Sequence, residues 1–167
     1  MIKAVFPGSF DPPTFGHLDI IERASGIFDE LFVIAADNHK KQNMLPVDER
    51  IDLLNILLSE KKNIHVMRCN TLVVDFMHEH GITVLIRGIR GVNDFLYEAE
   101  LSRWNQILQP NIETILMMPR SEYAIFSSSA VRELMAFGKD LSMIVPEPVR
   151  KAIEKKADNP ADHKGIV

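Results

Sequence analysis

Residues 2–21, IKAVFPGSFDPPTFGHLDII, decide the fold. Ile2–Phe6 is a short apolar run halted by Pro7-Gly8, the pattern of a buried strand. Leu18, Ile21, Ala24 and Phe28 then recur at helical spacing. Between the two lies a loop, and Thr14 is placed to cap the helix, which puts His17 in its first turn. A helix N-terminus offers unpaired N–H groups and partial positive charge to an anion. Gly8 lets the backbone turn sharply or approach a ligand, and Gly16 removes a side chain beside His17. An imidazole in that field is biased toward neutral, yet still donates one N–H bond. Taken alone, the same residues are also read as an ordinary helix opening.

Outward from this unit the alternation continues. Further strands are predicted at Leu31–Ala36, Ile64–Met67, Thr83–Ile86 and Ile112–Met118. Between and after them come helical patterns. One carries Ile51, Leu54 and Leu58 behind a capping Asp48, and one runs from Leu72 to about His80 and stops at Gly81. Others run from about Asn93 to Leu108, over Ala130–Phe137 behind Ser128 or Ser129 as cap, and over Pro146–Lys156. Continuous apolar strands separated by helices predict an α/β fold, a doubly wound five-stranded parallel sheet covered on both faces. Ligands on such sheets bind beyond the carboxyl ends of the strands.

The 167 residues suit one domain, expected over 1–156, with polar 157–167 as a loose tail. Apolar residues at 46% and charged residues at 25% exclude a disordered chain. No apolar run reaches the roughly 18 residues of a membrane-spanning helix, and the start lacks a signal-peptide pattern. With a single cysteine, Cys69, an internal disulfide or a multi-cysteine zinc site is excluded; the side chain is expected to be buried. A cytoplasmic address is the default. The net charge of −4 argues against a protein that coats nucleic acid.

The strand ends nevertheless collect cations. Lys40 and Lys41 follow the second strand, and Arg87-Gly88-Ile89-Arg90 follows the fourth. Arg120 and the run Ser127-Ser128-Ser129 follow the fifth, the serines leading into a helix whose first amides suit a phosphate. Each has an ordinary reading: a solvated lysine pair, a surface arginine loop, a serine cap. Their recurrence at strand ends points instead to a polyanionic substrate and to phosphoryl or nucleotidyl transfer. A GxxxxGK[ST] loop and a GxGxxG after the first strand are both missing, against a P-loop nucleotide site and a dinucleotide oxidoreductase. His78 and His80, two apart on a helix, do not face one another. Asp11 and Asp94 are not assigned as metal ligands, since Mg²⁺ leans on substrate phosphates. Trp104 is expected in the core or at a subunit contact.

Thr14-Phe15-Gly16-His17 resembles the TxxGH signature of the nucleotidyltransferase superfamily. The longer strings PGSFDPPTFGHLDII (7–21), VLIRGIRGVNDFLYE (84–98) and FSSSAVRE (126–133), with Lys40-Lys41, resemble bacterial phosphopantetheine adenylyltransferases, and the likeness runs to about Lys156. Phe15, Thr71 and Tyr123 depart from that family's commoner Asn, Gly and Trp.

The resemblance implies a Rossmann-like nucleotidyltransferase fold, transfer of AMP from ATP to 4′-phosphopantetheine, Mg²⁺, and a homohexamer. By motif position it implies His17 and Lys40 as catalytic residues, the bridging lysine being Lys40 or Lys41. It implies Ser9, Lys40, Val73 and Arg87 at the phosphopantetheine. For ATP it implies Ser9, Phe10, His17, Gly88, Ile89, Arg90, Glu98, Tyr123, Ala124, Ile125, Phe126, Ser127, Ser128 and Ser129. Two other enzymes of the superfamily, a nicotinate-mononucleotide adenylyltransferase and a glycerol-phosphate cytidylyltransferase, are the alternatives, together with a non-catalytic nucleotide- or CoA-binding regulator.

Overall fold

The structure, a computed structural model, describes residues 1–36 and 43–157. Its elements in chain order are β1 (Lys3–Gly8), α1 (Phe15–Ser25), β2 (Glu30–Ala36), α2 (Val47–Leu58), β3 (Ile64–Cys69), α3 (Val73–His80) and β4 (Val84–Gly88). These are followed by α4 (Val92–Leu108), β5 (Glu113–Met117), a 3-10 turn (Ser121–Tyr123), α5 (Ser128–Ala136) and α6 (Glu147–Ala157). Ala157, the first residue of the expected tail, is the last residue of α6, and 158–167 lie outside the described residues.

The sheet is parallel throughout, in the order β3-β2-β1-β4-β5. Alternate residues of each strand enter opposite cores, as a strand period of two requires. Ala4, Phe6, Leu31, Val33 and Ala35 pack with Ile20, Ile21 and Ala24 of α1 and Leu54 and Leu58 of α2. Val5, Phe32, Ile34 and Leu85 pack on the other face with Val74, Phe76 and Met77 of α3. Both faces are covered, so the fold is doubly wound as the apolar strands predicted. A third cluster joins α2, α5 and α6 through Leu53, Val131, Val149 and Ile153. Cys69 is buried in the second core.

Some boundaries differ from the sequence reading. β4 extends to Arg87 and Gly88, which pair with Leu116 and Met117; these residues are strand, not loop. Asp48 is not the cap of α2: Pro46 holds that position, and Asp48 stands in the first turn, where a carboxylate favours the helix dipole. Ser127, not Ser128 or Ser129, caps α5. Gly81 is the left-handed C-cap of α3, at φ 64°.

The order 3-2-1-4-5 sets the site. β1 lies between β2 and β4, so the chain leaving β1 and the chain leaving β4 turn apart and open a crevice above the sheet.

Candidate active site

A cavity of about 520 Å³ lies in that crevice. Its floor is the ends of β1 and β4, and its walls come from α1, α4 and the start of α5. It brings together Ser9, His17, Val73, Arg87, Gly88, Arg90, Glu98, Phe126, Ser127, Ser128 and Ser129. Lys40 and Lys41 lie outside the described residues.

His17 is the third residue of α1 and forms a capping box with Thr14. The Thr14 N–H donates to His17 Nδ1 at 3.1 Å, and the Thr14 hydroxyl accepts from the His17 backbone N–H at 3.4 Å. Because Nδ1 accepts, the neutral ring carries its proton on Nε2, the nitrogen left for the cavity. Burial lowers the ring's pKa to about 4 from 6.5, and the nearby Arg90 adds to the shift. His17 is thus a fixed, uncharged donor. The Phe10 ring stands edge-on against it at 5.1 Å.

This shift has a sign. Between pH 6.5 and about 4 the unfolded chain holds a proton on this imidazole and the folded chain does not. Stability is therefore lost as pH falls through that window, and below about 4 this group costs nothing further. In ¹H–¹⁵N spectra of the ligand-free protein, the His17 ring is expected to stay in the Nε2–H neutral form at pH 5.5 and titrate near 4. Titration near 6.5 would contradict the arrangement.

Gly16 is required by close approach. A Cβ there would come within 2.9 Å of the Phe126 carbonyl oxygen and 3.3 Å of that of Tyr123. The start of α1 thus lies directly against the segment leading into α5. The Thr14 hydroxyl also donates to the Phe126 carbonyl, and the Ser128 hydroxyl to that of Pro12. Two helix N-termini, those of α1 and α5, are held side by side. Ser127 caps α5 through the Ala130 N–H at 3.1 Å, while Ser128 and Ser129 occupy first-turn positions whose N–H groups have no helical acceptor.

Across the cavity, Arg87 at the end of β4 pairs with Glu98 of α4 through two parallel bonds, 2.7 Å from Nε and 2.6 Å from Nη2. Glu98 is 6% exposed. The carboxylate holds the guanidinium flat against α4 and leaves the Nη1 edge, which also approaches the Pro7 carbonyl at 3.5 Å. The structure thus places Glu98 on Arg87. Arg90 is gripped by Asp94, whose carboxylate accepts both its backbone N–H and its Nε.

Several implied contacts fall elsewhere. The Phe10 side chain is fully buried, at a φ of 47°, and only its backbone is left toward the loop after β1. Ile89, Tyr123, Ala124 and Ile125 do not line the cavity; Tyr123 stacks on Phe15 at 6.3 Å, joining two of the positions that depart from the family pattern. Arg120 is drawn to Asp19 and is not part of the wall.

Other residues of the site carry no role in the sequence reading. Arg132 of α5 lines the cavity, donates to the Asp11 carbonyl at 2.8 Å and contacts the Ser129 hydroxyl. Asp11 is 2% exposed, and its two carboxylate oxygens accept the N–H groups of Met44 and Leu45, each at 2.8 Å. Arg50, wholly buried, donates to the carbonyls of Ser9, Ala36 and Leu45. Asp11 and Arg50 fasten both ends of the chain around the lysine segment to the loop after β1. Spacing gives no sign of this, because Ser9 and Ala36 lie 41 and 14 residues from Arg50, and Met44 and Leu45 lie 33 and 34 residues from Asp11.

No three His, Cys, Asp or Glu side chains among the described residues form a metal cage. Asp11 is engaged by two amides and Asp94 by Arg90. A divalent ion here would be carried mainly by substrate phosphates.

A crevice at the switch point, two helix N-termini and converging arginines define a nucleotidyltransferase, and residues 5–134 match the cytidylyltransferase-like family. A solved structure from Vibrio parahaemolyticus, assigned as a nicotinate-nucleotide adenylyltransferase, shares the fold with a TM-score of 0.68 at 19% identity over 93% of each chain. At higher identity stand the phosphopantetheine adenylyltransferases of Vesicomyosocius okutanii, 43% identical over 92% of this chain and 97% of that one, and Staphylococcus carnosus, 44% over 92% and 96%. That of Methylococcus capsulatus is 41% identical over 93% and 96%. The chain belongs to the phosphopantetheine adenylyltransferase family.

Proposed function

We propose that the chain transfers the AMP moiety of ATP to 4′-phosphopantetheine, giving dephospho-CoA and pyrophosphate, as a cytoplasmic enzyme of coenzyme A synthesis. The observation that carries the chemistry is the neutral His17, its Nε2–H left for the cavity between two helix N-termini and facing a clamped Arg87. The family membership selects the substrates.

The nucleophile is a phosphate already anionic near neutral pH, so no general base is needed. One of its oxygens forms a bond to the α-phosphorus of ATP while the bond from that phosphorus to the β-phosphate oxygen breaks. The electron pair leaves with pyrophosphate, and no enzyme-bound intermediate forms. What the site supplies is alignment and charge stabilisation. His17 donates to an α-phosphate oxygen as negative charge grows there. Arg87 orients the acceptor phosphate, with Ser9 and Val73 along the same arm. The amides of Ser128 and Ser129, with Arg90 and Arg132, receive the β- and γ-phosphates. Lys40 or Lys41 bridges the nucleophile and the α-phosphate. A Mg²⁺ ion, when bound, would supply shielding of the triphosphate charge.

The alternatives are separated by products. Pyrophosphate release is measured with ATP and 4′-phosphopantetheine, with ATP and nicotinate mononucleotide, and with CTP and glycerol phosphate. Dephospho-CoA formed by the first pair alone supports this reading. Product from another pair without dephospho-CoA would overturn it, and nucleotide binding without any pyrophosphate would mark a regulator.

The same reading includes a homohexamer, and α4 supports self-association. Among the described residues it buries only Glu98 and exposes Phe95, Leu96, Trp104, Ile107 and Leu108. Trp104 is on the surface of the described residues and not in their core, which supports the reading of it as a subunit contact. Sedimentation is expected to give a hexamer, shifted toward smaller species by Trp104→Glu with Ile107→Glu. A monomer in the unsubstituted protein would contradict it.

A further inference from the structure

Asp19, two residues beyond His17 on α1, is a buried carboxylate that the mechanism above does not use. Its side chain is 2% exposed. Oδ2 accepts the Arg120 backbone N–H at 3.0 Å and lies 3.3 Å from Arg23 Nη2. Oδ1 has no hydrogen bond among the described residues and lies 3.5 Å from Arg120 Nε. Arg23 in turn donates to the Met118 carbonyl. Residues 118–120, the exit from β5, are thereby gripped on both sides of Pro119, which lines the cavity.

A buried carboxylate between two guanidinium groups is retained only where its partners hold it. What it holds is the first turn of the chain leaving β5. The far end of that chain rests on the same helix, where Phe126 meets Gly16 and Thr14. Between these two anchors run the 3-10 turn and the approach to α5. The helix that carries His17 thus also fixes the segment that delivers Ser127–Ser129.

We propose that Asp19 is a positioning residue for the nucleotide half of the site: through Arg120 it sets the 118–129 segment relative to His17. The proposal rests on the reading that this segment holds ATP. It assigns Asp19 no contact with substrate. Its effect falls on one substrate, because Arg87 and Val73, on the acceptor side, are held by α4 and α3 without reference to Asp19.

The test compares Asp19→Asn with the unsubstituted enzyme. The substituted amide keeps an oxygen for the Arg120 N–H but loses the charge between the two arginines. Arg23→Ala is the second variant; it removes the Met118 contact from a partly exposed side chain and leaves Asp19 in place. Both are expected to raise KM for ATP several-fold while KM for 4′-phosphopantetheine stays within about twofold. Amide hydrogen exchange, which needs no substrate, is expected to quicken at 119–126 and not in β1 or β4. Parallel rises in both KM values, or unchanged exchange at 119–126 in both variants, would overturn the proposal. Faster exchange at 119–126 with no change in KM for ATP would uphold the positioning and sink the assignment of that segment to the nucleotide.

Discussion

Replacing His17 with alanine is expected to lower kcat by a factor of roughly 10² to 10³, with KM for both substrates changed far less. The expectation follows from what the ring does. It is neutral, its tautomer is fixed by the Thr14 N–H, and it offers a single donor to charge that grows only in the transition state. One such donor is worth about 3–4 kcal/mol of transition-state stabilisation. His17→Gln, which keeps an N–H donor but not the ring's fixed orientation, is expected to fall between the two. Steady-state kinetics check this. A His17→Ala enzyme with near-normal turnover would remove His17 from the chemistry.

Replacing Arg87 with alanine is expected to damage both stability and activity. Glu98 would be left buried with its two charge-assisted bonds gone, a loss of about 3–5 kcal/mol when a buried pair is broken from one side. Arg87 retains some exposure, 26% of its side chain, which favours the lower part of that range. Urea unfolding measures it. The double variant Arg87→Met, Glu98→Leu removes both charges and is expected to regain most of the stability while remaining inactive. That split separates the role of the pair in folding from the role of Arg87 at the acceptor phosphate. A single variant that unfolds at the normal urea concentration would show that the clamp carries little energy.

Much of this was legible from local pattern. The strand–loop–helix at the start, the apolar strands and the cations at their ends lie in short runs, and short runs are what periodicity reads. Thr14 as a cap placed His17 correctly because capping is a contact of three residues. The serine run was harder: three adjacent serines are equally good caps, and only the docking of Ser128 on Pro12 leaves Ser127 for that role. β4 ran past its apolar stretch because Arg87 and Gly88 complete the ladder with β5.

The charged residues that build the site were the least visible. Arg50 sits on a helix with acidic neighbours and reads as a solvated position, yet it is fully buried against the carbonyls of Ser9, Ala36 and Leu45. Asp11, Asp19 and Glu98 are likewise buried, each with a partner on another element: the Met44 and Leu45 amides, the Arg120 amide and Arg87. Spacing cannot report such contacts, since topology creates them. Phe10 shows a related limit of position. A left-handed backbone turns its ring inward, and a family contact carried over by position says nothing about which part of the residue makes it.

The central claim is direct transfer at the α-phosphorus, with the protein aligning two polyanions and forming no bond to either. Stereochemistry at that phosphorus tests it most directly. The enzyme is given 4′-phosphopantetheine and one configuration of ATP bearing sulfur at the α-phosphate, and the configuration of the dephospho-CoA product is determined by ³¹P NMR. A single in-line displacement predicts inversion. Retention would require an enzyme-bound intermediate and would contradict the account.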